Sequence, residues 1–584
     1  MADAPDTAPY TVARYLVDRL VQCGLRHIFA VPGDYASRFL DAVDAAAPAI
    51  VRVPTIAELG SGYAADGYAR LAGIGAACVQ YGVGTFSALN CAAGAFVERV
   101  PVAIISASPS TQDRVLEASE DILFHHSTGD LDADRDVYAA VTVASEIIAN
   151  AASAPEQIDE AIVAMLTHRR PIYIEVLQDI WIAPCARPQG KLAPQNIVSE
   201  PDALAGLVEA AWAAIEGAEQ PVLWAGVEVQ RYGLQAKLQR LIDASGLPFA
   251  TTSLGKTVLD EAQPQFVGTY AGPASLAVTR AVVDGSDCPI ALGATITDDY
   301  LNIMAARFSV MISVNDEEAR VGWSAYPGVF LGDFLDALAE RFEDASSYPR
   351  AFTPPQVPED RDEEPAPPGA LTYNRFFRAL IGFLDAEDRI ADKMLVLGES
   401  TSLYVFGNAM GLPRDSFVAQ AAWGSLGHET GCALGLGLAT GKRPFVVAGD
   451  GGFMMVCQEI SSLVRAKVPA TIFVMSNKGY AIEQAFVNLD AFTPKGNFAP
   501  YDVLPAWDYL ALAQAFGARG FRVSTETELA AALGEIEALS DVPALVEVVI
   551  PPKDLAPQLR RLAEVPASKA KSDRTRSRAE RNAC

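Results

Sequence analysis

Asp450 and Asn477 stand just beyond the ends of two consecutive short apolar runs, Phe445-Val-Val-Ala and Ala470-Thr-Ile-Phe-Val-Met. A strand-helix-strand unit is right-handed and brings the carboxyl ends of its strands to one crevice edge, so the two side chains can meet although 26 residues separate them. A carboxylate and an amide oxygen are the hard ligands that magnesium takes together with phosphate oxygens. Gly449, Gly451 and Gly452 around the acid would let the backbone approach a diphosphate closely. A bare Asp-Gly is a turn signal. The amide after a second strand is what converts it into a cation site.

Proton chemistry has its own signals. The chain has five histidines, and two are adjacent, in Ile122-Leu-Phe-His-His-Ser-Thr-Gly. Each buried imidazole costs desolvation unless it finds partners, so His125 and His126 suit proton handling better than packing. Glu58 opens a run of small residues, Glu58-Leu-Gly-Ser-Gly-Tyr-Ala-Ala-Asp-Gly, with few other charges. A glutamate on a helix is ordinarily solvated, and this setting weighs against that. Gly82-Val-Gly84-Thr-Phe-Ser87 and Gly435-Leu-Gly-Leu-Ala-Thr-Gly441 lack the glycine spacing of a dinucleotide fingerprint, so no nicotinamide cofactor is expected.

The elements that must position these residues are short continuous apolar runs separated by helix-length segments. Examples are Ala77-Cys-Val-Gln-Tyr, Pro101-Val-Ala-Ile-Ile-Ser and Pro171-Ile-Tyr-Ile-Glu-Val, then Pro221-Val-Leu-Trp-Ala and Pro289-Ile-Ala-Leu-Gly, then Met394-Leu-Val-Leu-Gly and Ala544-Leu-Val-Glu-Val-Val. Such runs predict parallel strands buried on both faces, hence an α/β protein. Pro-rich stretches at 183–201 and 348–368 divide the chain. Three α/β domains with parallel sheets flanked by helices are expected, as 584 residues exceed one ordinary core.

A net charge of -27 argues against nucleic acid or an anionic membrane as partner. Eight cysteines without a CxxC pair predict reduced thiols, and no run of about 18 apolar residues occurs. With an acidic start lacking an apolar leader, the protein is expected in the cytoplasm. The basic tail, 566–584, is expected to be disordered.

The Gly-Asp-Gly to Asn spacing resembles the cofactor motif of thiamine-diphosphate enzymes. The set Gly33-Asp34-Tyr35, His125-His126 and Gly479-Tyr-Ala-Ile-Glu483 resembles that of the 2-oxo acid decarboxylases of this group, which act on pyruvate, indolepyruvate or phenylpyruvate. Two departures are Ser476 where relatives commonly carry a first Asn, and Ser127-Thr128 after the histidines. The resemblance implies three domains: pyrimidine-binding, 1–182; middle, 200–346; diphosphate-binding, 369–565. It implies thiamine diphosphate and Mg2+ as cofactors, with the metal on Asp450, Asn477 and the Gly479 carbonyl. Further cofactor contacts fall on Thr401, Gly424, Leu426, Gly451, Gly452, Tyr480 and Ile482. Glu58 would protonate the aminopyrimidine, and burial would suit it by raising its pKa. Asp34, His126 and Glu483 would manage protonation and aldehyde release, supported by His125.

The implied reaction is non-oxidative decarboxylation of a small-molecule 2-oxo acid to an aldehyde and CO2 by way of a carbanion at C2 of the cofactor. In pyruvate-preferring relatives two tryptophans narrow the pocket; the matching places hold Leu403 and Leu562, which points to indolepyruvate or phenylpyruvate, with Phe486 filling part of the space. Branched-chain 2-oxo acids and pyruvate stay open. So do a carboligating acetohydroxyacid-synthase-like enzyme and a non-catalytic cofactor-binding subunit, against which the intact acids and histidines weigh. In the family, Glu58 of one subunit serves the cofactor held by Asp450 of another, implying a homodimer or homotetramer.

Overall fold

The computed structural model describes residues 9–120, 122–316, 318–358, 360, 366 and 368–564. The basic tail and part of the second Pro-rich stretch lie outside the described residues. Three sheets account for the strands. The first contains β1 (His27–Ala30), β2 (Val51–Pro54), β3 (Gly75–Gln80), β4 (Val102–Ser108), β5 (Ala144–Ile148) and β6 (Ile172–Leu177), all parallel, in the order β2-β1-β3-β4-β6-β5. Every residue of β3, β4 and β6 is buried, which is why these strands read as unbroken apolar runs rather than alternating ones.

The second sheet holds β7 (Pro221–Ala225), β8 (Phe249–Thr252), β9 (Phe266–Tyr270), β10 (Cys288–Leu292), β11 (Ile312–Val314), β12 (Ala319–Val321) and β13 (Ser324–Ala325), in the order β13-β12-β11-β10-β7-β8-β9. It departs from the all-parallel expectation at one edge, where β12 and β13 run antiparallel to their neighbours. The third sheet is parallel throughout: β14 (Lys393–Leu397), β15 (Phe417–Ala419), β16 (Arg443–Gly449), β17 (Thr471–Ser476), β18 (Arg519–Val523) and β19 (Ala544–Val549), in the order β15-β14-β16-β17-β19-β18.

The chain forms two compact units. One holds the described residues up to Asn196 with Thr430–Lys442 and Val456–Ala470, and so the first sheet; the other holds Ile197–Glu429, Arg443–Met455 and the described residues from Thr471, and so the second and third sheets. In the first unit the Glu58–Ala72 helix lies close against the His428–Thr440 helix, because a Cβ on Gly67 or Gly435 would overlap the Cys432 or Ala64 carbonyl. The glycines at 435–441 therefore serve helix packing rather than a nucleotide. A fully buried triad, Arg70 to Asp66 and to Glu98 at 2.8 Å each, fixes the far end of the Glu58 helix. Inside the second unit, buried Lys256 bridges Glu261 at 3.0 Å and the Ala409 carbonyl at 2.7 Å, joining the loop after β8 to the segment between β14 and β15.

Both parallel sheets switch their direction of growth beside their opening strand. In the first, β1 is followed by β2 on one side and β3 on the other; in the third, β14 is followed by β15 on one side and β16 on the other. Loops leaving such a switch point diverge and open a crevice at the carboxyl strand ends.

Candidate active site

In the second unit the crevice lies between the loops that follow β14 and β16, closed by the loop after β17. Asp450, 3 % exposed, opens the Asp450–Val456 helix, and its Oδ2 accepts the Lys478 backbone N–H at 2.6 Å while Oδ1 accepts that of Gly451 at 3.0 Å. Asn477 is equally buried, and its Oδ1 accepts the Gly479 N–H at 3.2 Å. The two predicted ligands and the Gly479 backbone thus converge. Burial pushes the Asp450 carboxyl up to about 6, opposed by the Lys478, Gly451 and Asn477 backbone N–H groups. No thiol or imidazole lines this cavity among the described residues. The donors turned towards it are hard oxygens, which fits magnesium with a diphosphate and disfavours a softer metal.

The rest of the cavity wall gathers Thr401, Leu426, Gly451, Gly452, Tyr480 and Ile482, all predicted, with Tyr373, Glu399 and Glu429, which were not. Tyr373 is fully buried behind Asn477, whose Nδ2 donates to its hydroxyl at 3.3 Å. A Cβ on Gly451 would overlap the Tyr480 ring, so the residue type is dictated by that close approach. Gly424 adopts φ +67, and Glu399 lies where its Cβ would be. Ser476, the residue departing from the family pattern, hydrogen-bonds Glu547 on β19 at 3.2 Å. Glu399 and Glu429 stand beside the predicted Thr401 and Leu426 but belong to no recognised spacing, and Tyr373 lies on a helix far from the motif in the chain.

The Thr401–Gly407 helix corrects one expectation. Leu403, 4 % exposed, packs into the core of the third sheet with Phe377, Phe406 and Phe417. The neighbouring Tyr404 instead clusters with Ala271, Ala274, Ile482 and Leu562. One residue turns a helix by about 100°, so adjacent positions face different surroundings. Thr401 and Ile482 line the cavity, and within this helix it is Tyr404, not Leu403, that packs with Ile482. The Tyr404 hydroxyl donates to Asp299 at 3.1 Å. Leu562 packs against the same cluster as Ile482. Glu483 is exposed on the Ala481–Val487 helix, and Phe486 is half exposed.

In the first unit, the predicted proton-handling residues collect at the carboxyl end of β3. Gln80 ends this strand and donates from Nε2 to Asp34 Oδ1 at 3.0 Å. Glu58 is half-buried, and a Cβ on Gly84 would sit 3.4 Å from its Cγ and 3.5 Å from Gln80 Cβ, so the two side chains flank that glycine. Tyr81 donates its hydroxyl to the His125 carbonyl, and its ring meets His126 edge-on at 5.9 Å. The Gly82 N–H is held by Asp134 at 2.7 Å, and a Cβ there would overlap the His126 carbonyl. His126 itself has φ +76, a conformation that costs energy for a non-glycine residue and recurs at functional sites. The imidazoles lie 6.4 Å apart and are exposed. Gln80 was not anticipated, although a lone amide ending an apolar strand next to Gly82 was the available signal. Its Oε1 is buried without a hydrogen-bond partner.

Three family profiles match the chain in order: the thiamine pyrophosphate enzyme N-terminal TPP binding domain over residues 10–133, the central domain over 208–335 and the C-terminal TPP binding domain over 403–548. The chain is 33 % identical over 562 residues to an alpha-keto-acid decarboxylase of Mycobacterium leprae, covering 94 % of each. It is 31 % identical over 570 residues to a probable pyruvate decarboxylase of Schizosaccharomyces pombe, covering 94 % of this chain and 95 % of the relative. A pyruvate decarboxylase of Neurospora crassa is 31 % identical over 573 residues, with coverage of 95 % and 96 %. Matches of this extent, over three sheets in the expected arrangement, establish that the chain belongs to the thiamine pyrophosphate-dependent 2-oxo acid decarboxylases.

Proposed function

We propose that this enzyme decarboxylates 2-oxo acids with side chains larger than methyl, indolepyruvate or phenylpyruvate foremost, using Mg2+ to hold its cofactor. The observation that carries the cation reading is the Lys478 N–H bond to Asp450 at 2.6 Å, which draws the acid and the Asn477–Gly479 turn together. Asp450, Asn477 and the Gly479 carbonyl would hold the ion. Gly451, Gly452 and Thr401 would line the diphosphate, and Leu426 with the Gly424 carbonyl would seat the rings. When bound, thiamine diphosphate supplies the electron sink into which the bond to CO2 breaks.

The chain's own groups manage the protons. Glu58 holds the proton required at the cofactor's pyrimidine nitrogen. Asp34, oriented by Gln80, acts with His126 and Glu483 to protonate the product carbon and release the aldehyde, with His125 in support. Following the family arrangement, in which Glu58 serves a second subunit's cofactor, we take the working form to be a homodimer or homotetramer, in the cytoplasm.

The preference for a larger acid rests on Leu562, which stands where pyruvate-preferring relatives carry a tryptophan and packs against the cluster of Tyr404 and Ile482. Rates on pyruvate, 4-methyl-2-oxopentanoate, phenylpyruvate and indolepyruvate with added magnesium and thiamine diphosphate test it. A kcat/KM for pyruvate above those for both aromatic acids would remove the preference.

A further inference from the structure

Glu429 lies in the first turn of the His428–Thr440 helix, 2 % exposed, and lines the same cavity as Asp450 and Asn477. The backbone N–H groups of Gly427 and of Glu429 itself reach its carboxyl, yet Oε2 is buried with no hydrogen-bond partner. Burial raises this acid to about 7, against those two N–H groups. Near neutrality it therefore carries a proton for much of the time, and the protonated form is an O–H donor. A buried polar atom left unpaired is costly, so a side chain this deep calls for a partner that the described residues do not supply.

Two glycines make the room. A Cβ on Gly398, at the end of β14, would overlap Glu429 Oε2, and a Cβ on Gly452 would lie 3.1 Å from Oε1. Gly452 follows Asp450 by two residues and also lines the cavity, so the carboxyl fills the volume that a side chain at 452 would otherwise occupy. The group fitting beside these residues is an acceptor rich in oxygen. An anionic Glu429 would repel it, and a neutral one would bind it.

We propose that Glu429 contacts the cofactor directly, its carboxylic acid donating a hydrogen bond to a diphosphate oxygen across the gap left by Gly398 and Gly452. This rests on reading the cavity as the diphosphate site. It assigns a cofactor-binding role to an acid outside the Asp450–Asn477 motif, and it makes the two glycines a pair with the glutamate.

The test is thiamine diphosphate affinity of the full-length protein stripped of cofactor, titrated at saturating Mg2+ by calorimetry or tryptophan fluorescence. Glu429→Met matches the side chain in length with no donor, and Glu429→Gln keeps an N–H donor. The methionine variant should bind at least tenfold more weakly, and the glutamine variant within threefold of the parent. Should Glu429→Met lower the melting temperature of the stripped protein, Glu429→Ala is read in its place, with the same expectation. Equal affinity of the donor-less variant and the parent overturns the proposal, as does an equal loss in Glu429→Gln. Asp450→Ala serves as the reference: lost binding there with unchanged binding at 429 removes only the Glu429 contact. Unchanged binding in Asp450→Ala removes the reading of the cavity itself.

Discussion

The amide Nδ2 of Asn477 donates to the buried Tyr373 hydroxyl at 3.3 Å, which fixes the amide so that Oδ1 is the atom on the Gly479 side. Groups that orient a ligand without touching the ion commonly matter by 10–100-fold in metal affinity. Tyr373→Phe should weaken Mg2+ binding about tenfold, read as the magnesium concentration giving half-maximal activity at saturating thiamine diphosphate. An unchanged magnesium requirement would leave Tyr373 a packing residue.

Glu483 and His126 are proposed to move protons rather than hold the cofactor. Glu483→Gln and His126→Ala should each lower kcat by about two orders of magnitude or more, while the dissociation constant of thiamine diphosphate stays within about threefold. Stopped decarboxylation assays and cofactor titration on the same preparations separate the two effects. Lost affinity with normal turnover would reverse the assignment.

The helical phase of residues 403 and 404 makes a paired prediction. Leu562→Trp should cut kcat/KM for phenylpyruvate at least tenfold and leave pyruvate nearly untouched, since the new indole enters the cluster of Tyr404 and Ile482. Leu403→Trp should instead destabilise the protein by about 1–3 kcal/mol, because that side chain sits in a filled core. Substrate profiles and melting temperatures of both variants distinguish the sites.

Asp299 offers a pH test. Burial raises its carboxyl to about 6, against the Tyr404 hydroxyl and with the Asp298 charge adding to the rise. A folded-state pKa above the unfolded value means the associated stabilisation is complete below about pH 4 and is lost as pH climbs through 6. The swing is on the order of 3 kcal/mol. Asp299→Asn keeps an acceptor for Tyr404 and removes the charge. Its melting temperature should exceed that of the parent at pH 7.5, and the gap should narrow at pH 4.5. Parallel curves across that range would contradict the account.

Much of this was readable in the chain. The parallel strands announced themselves because burial on both faces demands unbroken apolar runs, and β7 (Pro221–Ala225) and β19 (Ala544–Val549) coincide with runs visible in the sequence. The hairpin of β12 and β13 was not legible, being short, with β13 exposed. At the site, Asp450 and Asn477 were marked by spacing, whereas Tyr373 and Glu429 act through positions that only the folded sheet defines. Leu403 faces the sheet core and Tyr404 the Ile482 cluster, a one-residue difference that is decisive on a helix. Gln80, the last residue of β3, is the polar exception in a strand whose other residues serve packing.

The central claim is that Asp450 and Asn477 share one divalent ion with the cofactor's diphosphate. Mn2+ in place of Mg2+ makes that ion directly visible by electron paramagnetic resonance in cofactor-stripped protein. With thiamine diphosphate added, the parent should bind one Mn2+ per chain, and Asn477→Ala and Asp450→Ala should leave the ion free in solution. Undiminished Mn2+ binding in either variant would contradict the account.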